Sequence, residues 1–394
     1  MAGRTGVARV ITAFQPRFRM ALPTLMILDG ESRTAIGVVR SLGRLGIPLM
    51  VGSGRPLGRS GFSRFAKRRF SYPSPDPGLE ATHAAIINRV KAWRPDILMP
   101  IFDDGWSVAY AYREDYRRLT TIVPSPRREH FEGLNDKGQL TAYASRHGVS
   151  VPKTFLPRSR EEALALRGQL PYPVLLKPKR SVSGIGIRKV NSADDFTNAL
   201  GAFRDIPVIQ EWIEGQDWEL TVLCDHGNPL AGSVYLSLRN APLPFGPPVA
   251  CRTIRNEALM EIGTDFLATL RYHGIAHLDF RTDQRDGEPK LLDFNPRLAG
   301  TNEISTRSGV DFALMLYRMA SGESVEPCFA YEVDMEFRWL GELRHLVQTP
   351  NKYQALRELL RWRRVSTEIS LTDPMPHLVM LIDGLQRLAL RSMK

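Results

Sequence analysis

The stretch from His277 to Arg297 constrains this chain more than any other. It reads His-Leu-Asp-Phe-Arg-Thr-Asp, then the turn pair Asp286-Gly287, then Lys-Leu-Leu-Asp-Phe-Asn-Pro-Arg. Asp and Gly tolerate the positive φ angles of a tight hairpin, so the segment is expected to fold back on itself. Side chains on a strand alternate between faces. Leu278 and Phe280 therefore point one way, and His277, Asp279 and Arg281 the other. On the return strand Leu292 and Phe294 are expected to pack, while Asp293, Asn295 and Arg297 project. Folding about the turn sets Asp279 opposite Asp293, within about 5 Å as a cross-strand pair. Two carboxylates that close repel unless a cation lies between them. The oxygen donors of Asp279, Asp293 and Asn295 suit Mg²⁺, with Mn²⁺ as the alternative, rather than Zn²⁺. Arg297 then directs a guanidinium at whatever anion the metal holds. A solvated hairpin with scattered charges is the competing reading.

The surroundings of that hairpin limit the choice. A chain of 394 residues, 43% of them hydrophobic, can form two or three cores. Cys224, Cys251 and Cys328 stand far apart with no paired spacing, so neither a disulfide framework nor a zinc ribbon is indicated, and a reducing cytoplasm fits best. No apolar run approaches the ~20 residues that span a bilayer. The net charge of +11 is not focused: part lies in Arg4, Arg9, Arg17 and Arg19, part in Arg361-Trp-Arg-Arg364. With no nucleic-acid motif and no aromatic stacking platform, nucleic acid is not the expected partner. A soluble protein that handles an anionic small molecule is, with a homodimer as one possible assembly.

Residues 1–22 lack a hydrophobic period and read as a disordered basic tail, a transit peptide being the alternative. From Thr24 an apolar strand, Leu25–Leu28, precedes a helix carrying Ala35, Val38, Val39, Leu42 and Leu45 at helical spacing. Strands follow at 48–51, 96–101 and 120–123. This is β-α-β order and implies a parallel sheet over residues 23–124. Its first turn lacks G-x-G-x-x-G, so the sheet is expected to frame a substrate rather than a dinucleotide. Asp103-Asp-Gly105, just past a strand's carboxyl end, is either a ligand contact or a helix cap.

Further along, Lys177 ends an apolar strand and the loop Arg180-Ser-Val-Ser183-Gly184-Ile-Gly186 follows. A Gly/Ser loop between strands lets backbone N–H groups approach phosphate oxygens without Cβ interference, and the lysine adds charge. A plain hairpin turn is the alternative. The next strand, 207–213, runs into Glu211-Trp212-Ile213-Glu214-Gly. Its backbone can meet an adenine edge and Glu214 or Glu219 a ribose, although surface acids read the same way. Strands over 220–224 and 230–239 follow, then a helix with Leu259, Ile262, Phe266 and Leu270 on one face. If the strands are so placed, Arg239 and His277 project toward one region, where Arg239 could hold a carboxylate and His277 serve as base or structural neighbour.

Taken together these residues resemble the ATP-grasp superfamily over about residues 125–325. The most specific part is the acid at Asp279 followed by Asp293-x-Asn295-Pro-Arg297. The resemblance implies an N-terminal parallel α/β domain (23–124), an ATP-grasp domain with antiparallel sheets (125–328) and a mostly helical C-terminal extension (329–394). By the same resemblance Asp279, Asp293 and Asn295 hold Mg²⁺ against the ATP phosphates, Arg297 stabilises the transferred phosphoryl group, and Lys137 and Lys177 contact phosphates. The loop over Ser183, Gly184 and Gly186 closes on them, Glu211, Trp212 and Ile213 lie at the adenine, and Glu219 and Glu214 face the ribose. Position 293 is Asp where many members have Glu, and this shorter arm weakens the argument for a second metal. The start of the chain, Leu28-Asp-Gly-Glu-Ser-Arg-Thr-Ala-Ile-Gly, looks like the leading domain of predicted bacterial carboxylate-amine ligases. The implied activity is ADP-forming: a carboxylate is activated as an acyl phosphate, with Arg297 and Arg239 as catalytic groups, and joined to an amine. A thiol or other acceptor, and a non-catalytic ATP-binding regulator, are the alternatives.

Overall fold

The run Leu25-Met-Ile is apolar throughout because it is covered on both faces. In the computed structural model, which describes residues 21–75, 78–181, 183–360 and 365–392, β1 (Leu25–Ile27) is the middle of a five-stranded sheet. Around it lie β2 (Leu49–Ser53), β3 (Ala66–Ser71), β4 (Ile97–Met99) and β5 (Thr121–Ile122), in the order β3-β2-β1-β4-β5, all pairs parallel. Leu25 and Ile27 pack with Val38, Val39 and Leu42 of the helix Arg33–Arg44, while Met26 and Leu28 pack with Ile86, Ile87 and Val90 of the helix Leu79–Trp93. Period two in the strand thus feeds two separate cores. β3 is absent from the sequence reading because Lys67, Arg68 and Arg69 mask its pattern. It is an edge strand with those residues exposed, where charge discourages pairing with another chain. The basic tail and the cluster Arg361–Arg364 lie outside the described residues, apart from residues 21 and 22 of the tail.

One buried carboxylate fixes the ligand-facing end of this sheet. Asp29, at φ 61° just past β1, accepts N–H bonds from Ile101 (3.0 Å), Phe102 (2.7 Å) and Gly105 (3.0 Å), and a bond from the Tyr72 hydroxyl (3.2 Å). The helix Asp103–Ala111 has no capping side chain of its own, so Asp29 satisfies the Gly105 N–H of its first turn, and the Ile101 and Phe102 N–H groups just before it, from across the sheet. Burial pushes the Asp29 carboxyl up to about 7, against the pull of the Phe102 and Ile101 N–H groups. A Cβ at residue 105 would lie 2.4 Å from the Asp29 Oδ2, so Gly105 is required by close approach.

Two antiparallel sheets follow. The first has β6 (Thr154–Phe155), β7 (Val174–Lys177), β8 (Arg188–Val190) and β9 (Val208–Glu211), ordered β6-β9-β7-β8. The second is built on β10 (Gly215–Asp225), β11 (Asn228–Asn240), β12 (Pro248–Thr253), β13 (Gly274–Asp283) and β14 (Pro289–Asn295). Leu220, Val222, Leu278, Phe280 and Phe294 form its apolar face against the helices Lys137–Arg146 and Glu257–Thr269. The β13–β14 register sets Asp279 opposite Asp293, as alternation about Asp286-Gly287 requires. One detail differs. The register shifts so that Phe280 faces Leu291, and Leu292 becomes the extra residue of a bulge. Leu291 is buried in the core, and Leu292, expected to pack there, turns toward the opposite side.

The C-terminal extension is mostly helical but also completes this sheet. β15 (Glu336–Arg338) pairs antiparallel with β12, and β16 (Val365–Thr367) pairs with β15 as the sheet's one parallel pair among the described residues, giving the order β14-β13-β10-β11-β12-β15-β16. The extension then returns to the first sheet's helix Arg33–Arg44. There the buried Arg40 donates to the Asp373 carboxylate (2.9 Å), the Asp373 carbonyl (2.9 Å) and the Glu368 carbonyl (2.6 Å).

Asp29→Ala would leave three N–H donors and a tyrosine hydroxyl without a buried acceptor, at ~1–3 kcal/mol for each that water cannot reach. Its melting temperature is expected to fall by several degrees, with Asp29→Asn, which keeps one acceptor oxygen, in between. Calorimetry giving equal melting temperatures for Asp29→Ala and the wild type would rule out the capping role.

Candidate functional site

The second face of the large sheet carries the chemistry. The register pairs Asp217 with Arg281, Glu219 with Asp279 and Thr221 with His277 across β10 and β13, and then Asp279 with Asp293 and His277 with Asn295 across β13 and β14. All eight project from the side opposite the Leu220–Leu278–Phe294 core. All but Thr221, which lies buried behind His277, border a cavity of about 260 Å³ that the smaller sheet and the end of the first sheet close.

Two lysines enter from separate elements. Lys137 is the first residue of its helix, whose N-cap Asp136 accepts from the Gly138 and Gln139 N–H groups. Its ammonium lies 3.1 Å from Asp293 Oδ1 and 3.4 Å from the Ser181 carbonyl, joining hairpin and glycine loop. Lys177 ends β7 and is buried. It donates to Gln210 Oε1 at 2.6 Å, and burial pushes it down to about 8, helped by Lys137 and opposed by Asp293. Between β7 and β8, Ser183, Gly184 and Gly186 have φ of 56°, 72° and 80°. A Cβ on Gly184 would lie 1.8 Å from the Phe245 carbonyl oxygen, so the loop seats against segment 240–247 only without a side chain there. Ser183 and Gly184 line the cavity, while Gly186 sits against Pro178.

At the far end Glu211, Trp212 and Ile213 line the cavity. The Glu211 carboxylate accepts from the Lys153 N–H (2.8 Å) and pairs with Arg285 (3.2 Å). Trp212 donates its indole N–H to Glu214 and lies under Lys189 (4.1 Å) and Arg281 (4.8 Å). Glu219 is not beside Glu214. Five residues along an extended strand separate them by roughly 16 Å, and Glu219 is buried with His277 (3.5 Å) and Thr301, whose hydroxyl donates at 2.9 Å. The two glutamates expected at one ribose are thus separated: Glu219 lines the cavity, whereas Glu214 lies outside its lining, bonded to the indole of Trp212, which does line it.

The buried His277 holds Asp279 at 3.1 Å through Nε2, while its Nδ1 meets the Thr221 hydroxyl at 3.0 Å. Burial acts to lower its pKa, but the Asp279 and Glu219 carboxylates outweigh that and raise it. Glu219 is pushed up to about 7, first by burial, with His277 opposing. Arg297 is locked in place. It donates to Asp103 Oδ2 (2.8 Å) and Asn295 Oδ1 (2.9 Å) and stacks on the Phe102 ring at 4.1 Å. Asp103 is therefore both the first residue of a helix and a partner of Arg297.

Like Gly186 and Glu214, Arg239 is a predicted site residue that does not line the cavity. β11 and β12 shift register on both sides of it, so Ser237 and Asn240 line the cavity while Arg239 turns away. It pairs instead with Glu336 (3.1 Å), Glu342 (2.6 Å) and Glu358 (2.9 Å) of the C-terminal extension. Other lining residues escaped sequence reasoning. Asp217, paired with Arg281 at 2.5 Å, shares strand parity with Glu219 and could have been found that way. Gln210, Thr301 and Arg33 carried no local signal. Arg33 comes from the first helix, donates to the Pro248 carbonyl at 2.7 Å and stacks over Trp339 at 4.7 Å. The donor set of Asp279, Asp293 and Asn295 is all oxygen, and both carboxylates are partly open, with side chains 34% and 26% exposed. That chemistry fits Mg²⁺.

Residues 134–301 match the model of the ATP-grasp domain. The chain is 28% identical over 213 residues to D-aspartate ligase of Enterococcus faecium, covering 46% of this chain and 49% of that protein. It is 31% identical over 103 residues to the alpha-aminoadipate–LysW ligase LysX of Sulfurisphaera tokodaii, covering 24% of this chain and 36% of that one. The chain thus spans about half the length of the first relative and less of the second. The fold is shared with the biotin carboxylase domain of Hydrogenobacter thermophilus 2-oxoglutarate carboxylase (TM-score 0.66, 18% identity, 80% of this chain and 74% of that one). It is also shared with L-amino acid ligase of Bacillus licheniformis (TM-score 0.60, 18% identity, 77% of each chain).

If Arg239 holds the extension rather than a substrate, Arg239→Ala uncovers buried carboxylates and costs ~2–4 kcal/mol, with Arg338 as the remaining partner of Glu336 and Glu342. The melting temperature is expected to drop while nucleotide affinity, measured on the folded variant, stays at the wild-type value. A variant that melts normally but loses nucleotide or activity would return Arg239 to the site.

Proposed function

From the premise that residues 134–301 form an ATP-grasp domain, we propose that the protein is an ADP-forming ligase. It activates a carboxylate as an acyl phosphate and transfers the acyl group to an amine. The observation that carries this reading is the convergence of Lys137, Lys177, Asp279, Asp293, Asn295 and Arg297 on one cavity. Phosphoryl transfer asks for positioning and neutralised charge more than for covalent help from the protein, and this set supplies both. The names of the two relatives, both ligases, support the reading.

In this proposal Lys177 and Lys137 draw in the phosphates and the loop through Ser183 and Gly184 covers them, while Glu211, Trp212 and Ile213 border the base. Glu214 serves the ribose end, together with Asp217 in place of Glu219. Asp279, Asp293 and Asn295 would hold Mg²⁺, which neutralises phosphate charge when bound. Arg297, fixed by Asp103 and Asn295, faces the phosphoryl group as it moves to the acid. Arg33 supplies a second guanidinium beside Gly300 and is suited to the carboxylate of the acid, so residues 23–124 would frame that substrate and 125–328 the nucleotide. His277 and Glu219 keep Asp279 oriented.

Replacing Lys177 by Ala removes a charge-assisted contact of about 1.5–3 kcal/mol, or roughly a 10- to 150-fold rise in the ATP Kd. Titration calorimetry on the folded variant checks this, and an unchanged Kd rejects the role. The reaction itself is tested by interception. With Mg-ATP, a panel of amino acids and small carboxylates, and hydroxylamine in place of the amine, the enzyme is expected to form a hydroxamate in step with ADP. Arg297→Ala should abolish both. AMP as product would mean adenylation, and no nucleotide turnover with any acid would favour a non-catalytic ATP binder.

A further inference from the structure

The helices Glu342–Gln348 and Lys352–Leu359 are turned inside out for surface helices. Their acids face the protein: Glu342 and Glu358 both accept from Arg239, at 2.7 and 2.9 Å. Several of their apolar residues face outward, with Val347 73%, Tyr353 80% and Leu360, just past the second helix, 61% exposed, and Leu343 and Leu356 also exposed, whereas Leu346 and Leu359 are half-buried. A surface helix ordinarily buries its apolar stripe and shows its charges. An apolar face left outward marks a docking surface.

Charge identifies what it docks on. Arg344, Lys352 and Arg357 are exposed on the same two helices. Between Gly341 and Leu360 the sequence has no acid besides Glu342 and Glu358, both held by Arg239, and it continues with Arg361-Trp-Arg-Arg364. The outward face therefore combines apolar side chains, an amphipathic tyrosine and unopposed cations. We propose that this face docks the protein on an anionic lipid surface. Lipid satisfies both halves of the pattern, with acyl chains for Val347, Leu356 and Leu360 and anionic headgroups for the cations. A second copy would set Arg344, Lys352 and Arg357 against themselves across a two-fold axis. A nucleic acid would take the cations but offer the leucines little. Among the described residues no helix is long and apolar enough to cross a membrane, so the contact is peripheral.

The docking face borders the cavity's wall. The Leu243 N–H donates to Gln348 Oε1 at 3.0 Å, and His345 Nδ1 meets the Asn240 carbonyl at 2.8 Å. Both bonds tie the first helix to segment 240–247, whose Phe245 backs the glycine loop. A docked protein would hold that wall beside the lipid surface.

The test is sedimentation of the full chain with vesicles of phosphatidylcholine carrying about 30% phosphatidylglycerol, and with phosphatidylcholine alone. Wild type is expected to bind the anionic vesicles, more weakly at high salt, and to bind the neutral ones poorly. V347E/L356E, at exposed positions, is expected to keep its melting temperature and ATP affinity and to lose vesicle binding about tenfold or more. V347S/L356S repeats the comparison without adding charge. The proposal falls if wild type ignores anionic vesicles or if both double variants bind as well as wild type. It also falls if free glycerol phosphate or duplex DNA displaces the protein from vesicles at matched charge. A lipid-free dimer that V347E/L356E dissociates would give the face to a second copy instead.

Discussion

Two like charges on neighbouring strands organise this molecule. Asp279 and Asp293 are cross-strand partners, and their repulsion in a partly closed cavity has to be offset by donors held against them. Lys137 comes from the start of a helix more than 150 residues upstream of the hairpin's return strand, and His277 from two residues back on the same strand as Asp279. Lys137 thereby ties its helix to the hairpin, and His277, bonded through Nδ1 to Thr221, links Asp279 to β10. Lys137 also reaches the glycine loop through the Ser181 carbonyl, so the loop, the helix and the hairpin share one electrostatic centre.

A second chain of contacts links that centre to the N-terminal sheet. Arg297 leans on Asp103 and Phe102, and these are held by Asp29, whose carboxylate caps the helix that Asp103 begins. The guanidinium facing the cavity is thus positioned by the end of a parallel sheet, at the place where its strand order reverses between β1 and β4 and where such sheets present ligand contacts. Position 105 must be glycine for the same reason, since a side chain would displace the capping carboxylate.

The C-terminal extension draws its polar groups inward. Arg239, Glu336, Arg338, Glu342 and Glu358 form one ion-pair cluster, and Arg40 with Asp373 forms another against the N-terminal helix. Buried ion pairs of this kind add little net stability but penalise misplacement heavily, because a stranded partner remains charged and desolvated. Spending the acids inside leaves the outer faces of the two short helices apolar and cationic.

The sequence by itself determined the features that depend on local backbone geometry. Period-two alternation and the Asp286-Gly287 turn assign Asp279, Asp293, Asn295 and Arg297 to one face, and the buried first strand and the glycine loop are equally local. Only the tertiary structure decided which elements meet that face. Asp103 and Arg297 lie 194 residues apart, Arg40 and Asp373 lie 333 apart, and no pattern within either segment reports its partner. It also decided where alternation breaks: an extra residue at Leu292 and register shifts around Arg239 turn side chains to the other face without any change of composition. A strand's residues fix which side chains share a side, but packing between sheets sets what that side confronts, and a bulge is placed by the partner strand rather than by the strand's own letters.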